Sequence, residues 1–90
     1  MYILCKNGNR LVNSNNVTNF YIKQFYVPTT QLKTISWDIR AEYAVPKDNE
    51  ALYDVVASYQ SEDECRDNFN KLIHALIEER QFYNFLKEEY

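Results

Sequence analysis

The chain has 90 residues, of which 46% are hydrophobic and 26% are charged, and its net charge is −3. This composition is typical of one globular domain and excludes an intrinsically disordered chain. No apolar stretch approaches the roughly 20 residues that a transmembrane helix needs, and residues 2–5 are too short for a signal-peptide core, so we expect a cytoplasmic protein with no membrane partner.

The chain up to residue 59 predicts short antiparallel strands joined by polar turns. Asn7-Gly8 is typical of a tight hairpin, since both residues tolerate the positive φ angles of a two-residue loop. From Ile35 to Val45 apolar and polar residues alternate, as in a strand with one buried and one wet face. The predicted strands cover residues 2–6, 9–12, 17–23, 35–45 and 51–59.

Residues 24–33 allow two interpretations. Pro28 and the two threonines after it favour a loop. The alternative is that Phe25, Tyr26 and Val27 continue the preceding strand, because aromatic and β-branched residues are enriched in strands.

The last third of the chain predicts one long amphipathic helix over residues 61–88. Ser61 followed three residues later by Glu64 forms a capping box, in which each side chain satisfies a backbone N–H of the first turn. Acidic residues at 62–64 favour the positive end of the helix dipole. At 100° per residue one apolar stripe contains Cys65, Phe69, Leu72, Leu76, Tyr83, Leu86 and Tyr90, with Ile73 and Ile77 at its edge.

Beyond Arg80 the helical pattern becomes apolar on more than one side, because Phe82 and Phe85 point away from the stripe. One interpretation is a bend near residues 78–81 or a frayed end. The other is that this part of the helix binds a protein partner or a second copy of the chain. The predicted partner-binding residues are Phe82, Phe85, Tyr90, Glu78, Glu62 and Asp63.

These elements predict a single α+β domain over residues 1–90. We expect an antiparallel sheet of four to five strands in a meander, packed against one long C-terminal helix. The strands lie within residues 1–59 and the helix within 61–88.

No residue pattern predicts catalysis, a cofactor or a metal. His74, the single histidine, lies opposite the apolar stripe, and no phosphate loop, nucleophile elbow or metal-ligand spacing is present in the sequence. Cys5 and Cys65 match no redox or metal spacing and are expected to be buried free thiols. We therefore expect a protein that is not an enzyme.

Charge is distributed unevenly along the chain. Residues 1–41 carry a net charge of +4 and residues 42–90 a net charge of −7. Separated charge can steer partners or favour self-association, although acidic helices and strand edges protected by lysine give the same distribution.

Aromatic residues also lie among the N-terminal basic ones, an arrangement that binds single-stranded nucleic acid. Packing of the sheet explains the same aromatics, and the net acidity opposes binding to a polyanion.

Two segments carry a resemblance to known proteins. Residues 13–22 (NSNNVTNFYI) and 59–65 (YQSEDEC) resemble small uncharacterised proteins of Firmicutes, their phages and integrative elements. In that group an opening hairpin and a Val…Tyr-Ile strand precede a Tyr-x-Ser/Thr-Glu-Asp/Glu-Glu entry to a closing helix. The resemblance covers about half of the chain, and residues 24–34 and those after Arg80 depart from it. It implies an accessory protein without catalysis and transfers no binding residue.

We therefore expect a non-catalytic protein that binds another protein and forms a homodimer. One version is an inhibitor that presents its acidic surface to a host nucleic-acid enzyme. The alternatives are single-stranded nucleic-acid binding through the aromatic and basic strands, and a structural protein that associates with itself.

Overall fold

Two three-stranded sheets and one α-helix make up the part of the protein that the structure describes. A computed structural model describes residues 1–28, 33–44 and 52–86. The elements in chain order are β1 Tyr2–Leu4, β2 Leu11–Asn13, a 3₁₀ turn Ser14–Asn16, β3 Val17–Pro28, β4 Lys33–Tyr43, β5 Tyr53–Tyr59, α1 Glu62–Ile77 and β6 Phe82–Asn84. The α+β class is confirmed. The predicted single meander is instead two sheets, ordered β2-β1-β6 and β3-β4-β5.

The smaller sheet joins the two ends of the described chain. β1 pairs antiparallel with β2 across the predicted Asn7-Gly8 turn, where Gly8 has a φ of 76° and its N–H donates to the Cys5 carbonyl at 2.9 Å. On its other side β1 pairs in parallel with β6. The Lys6 N–H also donates to the Val56 carbonyl of β5 at 2.8 Å, which ties the smaller sheet to the larger one.

The larger sheet is built on a long hairpin. β3 has 12 residues and pairs antiparallel with β4, continuously from Asn19 to Pro28 after an irregularity between Val17 and Asn19. The loop interpretation of residues 24–28 is therefore wrong, and the alternative of a continued strand is confirmed. Pairing with β4 satisfies the backbone groups that face it. Pro28 has no N–H to donate and is tolerated as the last residue of this outer strand. The predicted loop residues 29–32 lie outside the described residues.

One hydrophobic core connects both sheets with the helix. Ile3 of β1, Ile39 of β4 and Leu72 of α1 are each 0% exposed. Burying an aliphatic side chain of this size contributes about 1.5–3 kcal/mol. The buried helix positions are Cys65, Asn68, Leu72 and Ala75, spaced by three or four residues as an amphipathic helix requires.

The helix begins as predicted and ends early. Ser61 Oγ accepts a hydrogen bond from the Glu64 N–H at 3.4 Å, which confirms the N-cap. At the other end Glu79 adopts a left-handed φ of 57°. The Glu79 N–H donates to the Leu76 carbonyl at 3.2 Å and the Arg80 N–H to the Ala75 carbonyl at 3.1 Å, the two hydrogen bonds of a Schellman motif. The predicted helix over 61–88 is therefore wrong from Glu78 to Leu86, and residues 87 and 88 lie outside the described residues.

Candidate interaction surface

Five of the six residues predicted to bind a partner lie within the described residues, and these five do not form one surface. Glu62 and Asp63 lie in the first turn of α1, whereas Glu78 caps its other end. A helix of 16 residues is about 24 Å long at 1.5 Å per residue. Glu62 also accepts a hydrogen bond from Arg66 Nε at 3.0 Å, so its negative charge is partly neutralised by an ion pair within the helix. The acidic residues are thus divided between two distant sites.

The two phenylalanines predicted to bind a partner are also separated, one at the surface and one in the core. Phe82 is 47% exposed, but Phe85 is 0% exposed and belongs to the core. The Phe85 N–H donates to the Leu4 carbonyl at 3.2 Å, and its ring meets that of Tyr83 edge to face with centroids 4.9 Å apart. The prediction that Phe85 binds a partner is therefore wrong, because the turn after α1 folds this segment back against β1. Tyr90 lies outside the described residues.

A second group of exposed apolar side chains lies at the far end of the β3–β4 hairpin. We call Phe25 and Tyr26 of β3, with Ile35 and Ser36 opposite them on β4, the hairpin end. Pairing of β4 with β5 stops at Trp37 opposite Tyr59, so Ile35 and Ser36 have β3 on one side and no β5 partner on the other. At the hairpin end the sheet is therefore a two-stranded ribbon, an arrangement of marginal stability in water by itself.

Both faces of the hairpin end expose large apolar side chains. Phe25 is 47% exposed, Tyr26 is 56% exposed and Ile35 is 37% exposed. Tyr26 lies opposite Ile35, and side chains alternate between faces along a strand. The Tyr26–Ile35 pair therefore shares its face with Ile22 and Ile39, whereas Phe25 projects from the opposite face. Sequence reasoning missed this site because Pro28 was interpreted as the sign of a loop; the aromatic and β-branched run 25–27 was the signal that could have found it.

A groove lies beside the hairpin end. It has a volume of about 570 Å³ and is lined by side chains that include Ile35, Ser36, Tyr59 and Glu64. Lys6 enters it, donating to the Ser58 carbonyl at 2.9 Å with its ammonium 3.9 Å from the centroid of the Tyr59 ring. The Lys6 charge is thus held by contacts within the chain and does not mark the groove as an anion site.

Several ionisable side chains near the core contact other side chains of the same chain. Asp54 accepts a hydrogen bond from the Tyr43 hydroxyl and forms an ion pair with Arg10 Nε at 3.0 Å. Burial, with the hydrogen bond to Asp54, raises the pKa of Tyr43 to about 12. The Ser36 hydroxyl donates to Asp38 at 2.7 Å, and the Arg40 guanidinium lies 4.3 Å from the centroid of the Tyr53 ring. These contacts hold the strands together, and within the described residues Arg40 Nε is buried without a hydrogen-bond partner.

The cysteine chemistry is that of inert buried thiols. Cys5 is 1% exposed and Cys65 is 0% exposed, and both are free. Burial, with the nearby charge of Asp54, raises the pKa of Cys5 to about 11, and burial with Asp38 does the same for Cys65. A thiol with so high a pKa is protonated at neutral pH and is a weak nucleophile. Among the described residues no group of three His, Cys, Asp or Glu side chains is placed to hold a metal.

Comparison with known proteins gives no relative from which a function can be transferred. No protein family, curated protein or solved structure matches the chain. Within the described residues, no helix is long and apolar enough to cross a membrane.

Proposed function

We propose that this chain is a non-catalytic protein-interaction domain, encoded by a bacterium or its phage or mobile element and acting in the cytoplasm. Its contact surface is the hairpin end, where a partner adds an extended strand to the sheet. The observation that carries the proposal is the exposure of Phe25, Tyr26 and Ile35 on a ribbon in which, within residues 1–28, 33–44 and 52–86, only β3 and β4 pair. The two free cysteines fit a reducing compartment.

Strand addition suits this surface for a physical reason. Unpaired backbone N–H and C=O groups at a sheet edge provide affinity, and side chains on the two faces provide selectivity. The hairpin end supplies both, since it has open edges and an aromatic side chain on each face. An acidic surface that mimics nucleic acid has less support, because Glu62 and Asp63 are about 24 Å from Glu78 along α1.

A position-specific photocrosslink tests the proposal. Tyr26 is replaced by a photoreactive phenylalanine analogue in the cells in which the chain is naturally made, and adducts are identified by mass spectrometry. Tyr2 is the matched control, because it is also a strand tyrosine and is 51% exposed against 56% for Tyr26. We expect one dominant protein adduct from position 26 and none from position 2. Equal labelling at both positions, or none at either, would contradict the proposal.

A further inference from the structure

The outer edge of β3 is long and regular enough to pair with another strand. β3 is the outer strand of its sheet, and within the described residues no strand pairs with its second edge. Its 12 residues are about twice the usual strand length. Edge strands of monomeric proteins are commonly short, irregular or charged. β3 carries one charge, Lys23, and its register with β4 is unbroken from Asn19 onward.

We propose that the partner strand is β3 of a second copy of this chain. This inference rests on the proposed function and names its partner. Two β3 strands related by a two-fold axis perpendicular to the sheet pair antiparallel, and the two sheets join into one of six strands. A two-fold contact is self-complementary, so the residues of one strand must themselves make suitable pairs.

We compare three positions of the two-fold axis along β3, at Ile22, Lys23 and Gln24. An axis at Lys23 would place two like charges directly opposite each other, which is destabilising. An axis at Ile22 would place the exposed Phe25 and Tyr26 opposite Asn19 and Thr18, at the irregular start of β3.

An axis at Gln24 makes the favourable pairs. It places Lys23 opposite Phe25 of the second copy, a cation beside an aromatic ring. It also places Ile22 opposite the exposed Tyr26 of the second copy and lets the two Gln24 amides meet at the axis. Both exposed aromatics of the hairpin end are then covered by the other copy.

The contact is small, because each copy contributes one strand, whereas a standard interface has roughly 20–30 residues a side. The dimer should therefore dissociate on dilution through the micromolar range.

Disulfide trapping tests both the dimer and its register. Directly opposite residues of antiparallel strands have Cα atoms about 4.5–5.5 Å apart, within the range a disulfide spans. With the axis at Gln24, a Gln24→Cys variant should link to its own copy under mild oxidation at least tenfold faster than Ile22→Cys or Lys23→Cys. The native thiols of Cys5 and Cys65 are buried and should not contribute.

Sedimentation equilibrium of the unmodified chain provides a readout that does not depend on any variant. A concentration-dependent shift from monomer to dimer, together with preferential trapping at position 24, is the expected result. A chain that stays monomeric at millimolar concentration, or one that is trapped fastest at position 22 or 23, would overturn the inference. A Tyr26 photoadduct with a different protein, alongside a monomeric chain, would overturn this inference and leave the proposed function standing. The absence of any adduct would contradict both.

Discussion

Tyr26 and Ile35 face each other across the β3–β4 hairpin on the face that, nearer the body, carries Ile22 and Ile39. Ile39 is 0% exposed, whereas Tyr26 is 56% exposed and Ile35 is 37% exposed. The apolar face of the sheet thus continues past the point where β5 ends and the core stops covering it. This mismatch between the length of the hairpin and the size of the core leaves Tyr26 and Ile35 exposed at the hairpin end.

The exposure of Tyr26 predicts that it contributes little to folding. In urea titrations at concentrations where the chain is monomeric, Tyr26→Ser should lower the free energy of unfolding by no more than about 1 kcal/mol, the scale of one cross-strand pair. Ile39→Ala on the same face should cost about 2–5 kcal/mol, because it opens a cavity in the core. Equal losses for the two variants would mean that the hairpin end is packed against the body.

The two phenylalanines after the helix should behave differently. Phe85 is 0% exposed and Phe82 is 47% exposed. Phe85→Ala should therefore lower the free energy of unfolding by about 3–5 kcal/mol, and Phe82→Ala by about 1 kcal/mol or less. Chemical denaturation followed by circular dichroism measures both. A small effect of Phe85→Ala would show that this segment does not pack on β1, and would restore the continuous helix predicted from the sequence.

The end of the helix shows where local sequence patterns fail. The helical start was predictable, because Ser61 and the acids after it are a local signal. A bend near residues 78–81 was one of two interpretations of the sequence, but the strand after it was not predicted, since Glu79 holds the left-handed position that glycine normally occupies and Tyr83 continues the apolar stripe. What ends the helix is pairing of β6 with β1, which lies about eighty residues earlier in the chain. A pairing between residues so far apart in the sequence produces no local periodic pattern from which it could be predicted.

Glycine at position 79 should stabilise the protein. Glu79 has a φ of 57°, a conformation that costs a residue with a Cβ about 1–2 kcal/mol. Glycine removes this strain but gains freedom in the unfolded chain, so Glu79→Gly should raise the free energy of unfolding by up to about 1 kcal/mol. Glu78 is the matched control: its φ is −75°, and Glu78→Gly should lower stability by about 0.5–1 kcal/mol. Thermal unfolding of the two variants should shift in opposite directions.

Four of the aromatic side chains of the N-terminal half do not share one exposed face. Phe20 and Trp37 pack against the core, and Phe25 and Tyr26 project from opposite faces of the same ribbon. We therefore expect no retention of the chain on heparin or on immobilised single-stranded DNA at low salt, where electrostatic binding is strongest. Retention that is lost in Phe25→Ser would instead support the nucleic-acid alternative.

The hairpin itself was predictable over most of its length. Alternation from Ile35 defined β4, and Val17–Lys23 defined the first half of β3. The second half was obscured because proline is a turn signal when it is considered alone, whereas Pro28 here is the last residue of a paired strand. The exposed hairpin end could not be predicted without knowing that the pairing of β5 with β4 stops at Trp37, because the sequence does not show where this pairing ends.

Stability should fall in alkaline solution because of the buried thiols. The pKa values of Cys5 and Cys65 are raised from 9.0 to about 11 in the folded chain, chiefly by burial. Between pH 9 and 11 the unfolded chain has lost these protons and the folded chain still holds them, so unfolding releases protons and becomes easier as pH rises. The stabilisation is complete below pH 9 and is lost through pH 11, at up to roughly 2–3 kcal/mol for each thiol. Unfolding free energies measured at pH 8, 9, 10 and 11 should therefore fall more steeply for the unmodified chain than for a Cys5→Ala/Cys65→Ala variant, and parallel profiles would show that the thiols ionise freely in the folded chain.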